Sequence, residues 1–75
     1  METEGIKLLA AVAAVSLTGI AAAFGEGWIA SKAMEAMGRN PAVGKDMFTR
    51  MVTAMALVES IAIYGFVTTL IILFL

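Results

Sequence analysis

Two long apolar runs, separated by one short polar break, account for almost the whole chain. Leu8 to Gly25, "LLAAVAAVSLTGIAAAFG", is eighteen residues without a charge, and the run continues past Glu26 through "GWIASKAMEAM". Met51 to Leu75 is twenty-five residues interrupted only by Glu59. Apolar runs of this length are long enough to cross a bilayer as helices. Between them "GRNPAVGKD" holds the only Pro and two of the seven Gly, which is turn chemistry. The pattern predicts an all-α membrane protein: a single transmembrane hairpin over 1–75, with helix one at about 5–37, a loop at about 38–45 and helix two at about 46–75.

A cleaved signal peptide is the other reading of the first run, with "AAA" at 21–23 as a nominal cleavage site. Glu2 and Glu4 stand ahead of it beside one basic residue, Lys7, whereas a signal peptide begins with positive charge. Helix one is therefore expected to remain. Lys32, Arg39, Lys45 and Arg50 flank or lie within the turn, and only Lys7 lies at the other end. The positive-inside rule then puts the turn in the cytoplasm and both termini outside, as in a bacterial inner (plasma) membrane.

Composition narrows the chemistry. The chain is 61% hydrophobic with a mean hydropathy of +0.97, too apolar to be covered by polar surface in water. Cys and His are both absent, which removes thiol nucleophiles, disulfides, thiolate metal sites and imidazole catalysis. No basic run or aromatic–basic alternation suggests nucleic acid, and no resident cofactor is expected. The six Met read as packing residues, and Trp28 as an interface or packing residue.

The charges inside the apolar runs change the picture most. Eight uncharged residues separate Glu59 from Arg50, and sixteen follow it. An unpaired charge near a bilayer centre costs at least about 2.5–3.5 kcal/mol, so a carboxylate there marks function. Glu26 is the second unusual acid. In an antiparallel hairpin the midpoint of Glu26 and Glu59 falls between Ala42 and Val43, inside the turn, so both acids lie at one depth, about 25 Å from it. Two ionised carboxylates cannot share a low-dielectric site without cations: either they share a proton or a metal ion supplies the missing charge. The pair predicts a small-cation site. Ser60 and Tyr64 lie four apart beside Glu59, offering a hydroxyl oxygen and a phenol that can donate to the carboxylate.

Helix one carries Gly, Ala, Ala, Gly and Gly at 19, 21, 23, 25 and 27, after "AAVAA". Small residues this dense favour close helix contact. They cover more than one face, so one partner helix cannot use them all. A closed homo-oligomeric ring, with neighbours on both sides, can.

In this order the residues resemble the c subunit of F-type ATP synthases, the hairpin whose copies form the membrane rotor ring. The small-residue repeat running into "FGEGWIASKAMEAM", the turn "GRNP" and "ALVESIAIYG" carry the resemblance over nearly the whole chain. It implies that Glu59 is the ion-carrying carboxylate, loaded and unloaded beside the stator a subunit. Arg39, Asn40 and Pro41 would face the central stalk. Each ion site would be shared between neighbouring protomers, with the small-residue helix inside the ring. The main-chain carbonyl of Leu57 would join Glu59, Glu26 and Ser60 as a sodium ligand, as in sodium-binding rings of the two-carboxylate type. Ile61 departs from that pattern, standing where sodium rings carry a Thr that holds a coordinating water. The second acid and Ser60 favour sodium over a proton, because a hard cation needs several converging oxygens and a proton needs one carboxylate.

Such a chain would bind and release ions and would not be an enzyme on its own. A proton-coupled transporter protomer would also use a membrane carboxylate, but such proteins need more spans and a substrate cavity. A holin-like pore hairpin would have no use for two acids at equal depth. Identical copies and membrane lipid complete the expected partners.

Overall fold

The computed structural model describes residues 2–75. Helix α1 runs Glu2–Arg39 and helix α2 runs Gly44–Phe74, packed as an antiparallel hairpin 59 Å long. Asn40 and a single 3-10 turn, Pro41–Val43, make the whole connection. Asn40 takes an extended conformation (φ −141°, ψ 84°), which the following proline ring favours, and its N–H still donates to the Ala36 carbonyl at 3.0 Å. Pro41 opens the turn, where a missing N–H leaves no helix bond unmade. Both helices run two residues nearer the turn than the hydropathy pattern marks, because Gly38, Arg39, Gly44 and Lys45 stay helical although they add no apolar surface.

The seam between the helices is built from small residues. Ala11, Ala22 and Ala33 are the buried side chains of α1, and Gly65 is the buried residue of α2. Their spacing of eleven is about three helical turns, so the three alanines form one straight line facing α2. The bulky apolar side chains point outward instead; Leu9, Ile20, Phe24 and Phe74 are all exposed. This inside-out distribution suits lipid, where helices associate by close backbone approach rather than by expelling water.

The register is set by three contacts. Thr69 Oγ1 donates to the Ala11 carbonyl across the seam at 2.7 Å. Gly65 lies against Thr18, and Gly25 against Val58. The approach is tightest at Gly65, where an added Cβ would collide with the Thr18 hydroxyl and stand 2.8 Å from the Ala14 carbonyl oxygen. The Thr18 hydroxyl is itself held by the Ala14 carbonyl at 2.7 Å, so it cannot swing away without losing that bond. Gly65→Ala is therefore expected to destabilise the hairpin by about 1–3 kcal/mol. Oligomers of the variant should come apart in detergent at a lower temperature than wild type, and Gly25→Ala, whose Cβ meets only the Val58 methyls, the nearer at 3.0 Å, should cost less.

Candidate ion site

Glu59 sits midway along α2, about 22 Å of helix from either end. Glu26 comes one residue after Gly25, and Glu59 one after Val58. Since Gly25 and Val58 face each other across the seam, both acids emerge on the same lateral side of the hairpin. Their carboxyl groups stand within hydrogen-bonding reach of each other. Glu26 is half-buried and Glu59 is exposed, facing outward from a single hairpin. Among the described residues, no basic side chain bridges to either acid; the ion pairs are Lys32–Glu35 at 3.8 Å and Arg50–Asp46 at 2.9 Å, both nearer the turn. The two acids thus stand side by side on one flank with no basic partner among the described residues.

The other oxygens lie elsewhere. Helical geometry turns about 100° per residue, so Leu57 leaves the seam on the side opposite Glu59. Tyr64, one residue before the seam residue Gly65, leaves on the Leu57 side as well. Leu57 and Tyr64 are 70% and 68% exposed, so within one hairpin nothing covers that flank. The Ser60 hydroxyl donates to the Leu57 carbonyl at 2.6 Å, which brings these two oxygens together away from the acids. Tyr64 makes no side-chain hydrogen bond to Glu59 within the hairpin; its carbonyl accepts from the Thr68 hydroxyl at 2.8 Å. One hairpin therefore divides these residues, with Glu26 and Glu59 on one flank and Leu57, Ser60 and Tyr64 away from it. Residue spacing alone did not separate them, because proximity in sequence to Glu59 hides a turn of the helix axis.

Arg39, Asn40 and Pro41 are all exposed at the tip of the hairpin. Arg39 ends α1 and has no carboxylate partner among the described residues, so the tip presents free positive charge.

The sequence matches the family of ATP synthase c subunits over residues 9–72. It is similar to the ATP synthase c subunit of Dehalococcoides mccartyi, 40% identical over 99% of this chain and 97% of that protein. The protein of the same name from Petrotoga mobilis is 44% identical over 91% of this chain and 71% of its own length. That of Lactobacillus helveticus is 37% identical over 97% of this chain and 95% of its own. With two apolar helices, a midpoint carboxylate and a match across almost its entire length, the chain belongs to the family of ATP synthase c subunits, the helical hairpins that form the non-catalytic membrane ring of that complex.

Proposed function

We propose that this hairpin carries Na+ on Glu59, in a site completed between two copies of the ring, and that ring rotation moves the bound ion between opposite sides of the membrane. The observation that carries this reading is the division of the oxygen donors onto different flanks of one hairpin. Stacked side by side in a ring, the Glu59 flank of one copy meets the Leu57 flank of the next. Glu26 and Glu59 of the first copy then supply carboxylate oxygens, and the second copy supplies the Leu57 carbonyl and the Ser60 hydroxyl. Within one hairpin the Leu57 carbonyl accepts both the helical N–H of Ile61 and the Ser60 proton. On loading, the Ser60 hydroxyl hydrogen turns away, which frees the second lone pair of the carbonyl and leaves the Ser60 oxygen beside it for the cation. Four oxygens converging on one point suit a hard cation. The neighbour's Tyr64, on the same flank as Leu57, is placed to donate its phenol to the Glu59 carboxylate.

The charge balance sets when the site can face lipid. With one proton held between Glu26 and Glu59, the empty site carries one negative charge, and Na+ brings it to zero. A neutral site crosses the hydrocarbon, whereas a charged one is held where the stator a subunit offers it a counter-charge. Rotation is thereby coupled to loading. In this reading the tip formed by Arg39, Asn40 and Pro41 docks on the central stalk at the cytoplasmic face of a bacterial plasma membrane, in line with the basic residues clustered at the turn.

The test is labelling of Glu59 by a carboxyl-reactive carbodiimide, which needs a protonated, unoccupied carboxyl. Sodium should slow the reaction in intact rings between about pH 6 and 9, with potassium giving no protection. Equal rates with and without high sodium would make the transported ion a proton. Gly27 has nothing within 4 Å in one hairpin, so Gly27→Leu should leave the hairpin folded and disrupt the ring. Native gels of the variant should show no rings of wild-type size.

A further inference from the structure

The turn half of the hairpin holds a groove of about 320 Å³ whose walls include Trp28, Ile29, Lys32, Met47, Arg50 and Met51. Its floor is apolar, and two cations stand on its rim at the same height. Lys32 lies over the Trp28 ring, 5.5 Å from its centre, and Arg50 faces it from α2. Arg50 comes one residue before the groove residue Met51, just as Leu57 comes one residue before Val58. The groove therefore opens on the Leu57–Tyr64 flank, opposite the carboxylates. Phe48 comes one residue after Met47 and so leaves α2 on the carboxylate flank, at the height of the groove. It is 57% exposed. One flank thus carries an aromatic knob, and the other flank, at the same level, carries a hole.

We infer that Phe48 of one copy inserts into the Trp28–Met47–Arg50 groove of the next, fixing the spacing of adjacent hairpins near the turn. The inference rests on the flank-to-flank reading of the ion site. It extends that interface toward the turn, with the second copy of this chain as occupant. Two features favour a second copy over an acyl chain. The groove is continuous with the flank that completes the ion site, and its rim offers the Arg50 guanidinium to an aromatic face. Contacts of this kind repeat once per copy, and a head-to-tail repeat is compatible with the closed ring of the family.

The chain has no native Cys, so paired cysteines report contacts without background. Phe48→Cys with Arg50→Cys places thiols on opposite flanks of α2 near the turn, and Phe66→Cys with Thr68→Cys does the same on the other side of Glu59. Both pairs, treated with a short bis-maleimide in intact wild-type-like rings, should give ladders of covalent oligomers on denaturing gels. A ladder from the Phe66/Thr68 pair with none from Phe48/Arg50 would overturn the Phe48 contact and leave the groove to lipid, with flank pairing intact. No ladder from either pair would overturn flank pairing itself, and the Phe48 contact with it. Trp28, the sole tryptophan, gives a second readout that needs no cross-link. Phe48→Leu keeps an apolar side chain and should allow assembly. Its rings should show a shifted Trp28 emission, while dissociated hairpins of variant and wild type emit alike. Identical emission in the two kinds of ring would overturn the contact.

Discussion

Glu59→Gln is expected to abolish ion-driven ATP synthesis in reconstituted vesicles while the ring still assembles. Glutamine keeps the length, shape and much of the hydrogen bonding of the carboxyl group, so the helix seam, which is built from Ala11, Ala22, Ala33 and Gly65, is untouched. In the proposed mechanism the variant loses the one carboxylate midway along α2 that ion binding would neutralise. Without it, occupancy would no longer alter the cost of facing lipid, which for a carboxylate near the bilayer centre is at least about 2.5–3.5 kcal/mol. The measurement is the rate of synthesis under an imposed ion gradient, together with ring integrity on native gels. Retained gradient-driven synthesis would remove Glu59 from the central role.

Glu26→Ala is expected to have the next largest effect, and it separates the two ions. The substitution removes one of four proposed oxygens and the proton shared with Glu59. Loss of a charged ligand partner of this kind costs about 1.5–3 kcal/mol, or roughly 10–150-fold in sodium affinity. The sodium concentration that halves carbodiimide labelling of Glu59 should rise by that factor. Ser60→Ala should shift it in the same direction by a smaller factor, because a neutral hydroxyl contributes less than a carboxylate. Proton-driven turnover at low sodium should survive both changes, since a proton needs only Glu59. A Glu26→Ala ring with unaltered sodium protection would place Glu26 outside the ion's coordination.

The hairpin itself was legible in the residues: two uncharged runs, the single proline between them and the equal depth of two acids lead to one architecture. Those features depend only on hydropathy and on counting along an antiparallel pair, and neither needs a neighbouring side chain. The rotation of each helix about its own axis was not legible. Apolar residues surround both helices, so no amphipathic stripe marks an inner face, and small residues at 19, 21, 23, 25 and 27 point around much of α1. Only packing decided that Gly25 faces α2 while Gly27 stands open, and that Gly65 rather than a glycine of the repeat makes the tightest approach.

The same rotation decided the architecture of the site. Along the sequence, Leu57, Glu59, Ser60 and Tyr64 form one cluster around a carboxylate. In the structure the Ser60 hydroxyl turns to the Leu57 carbonyl, Tyr64 leaves on the far flank, and Glu59 meets Glu26 instead. Which residue types can carry an ion through a membrane is a matter of charge and oxygen chemistry, and that much is written in the order of the amino acids. Which flank each occupies depends on the phase of two helices packed by backbone contact, at about 100° per residue, and that phase exists only once the helices have docked.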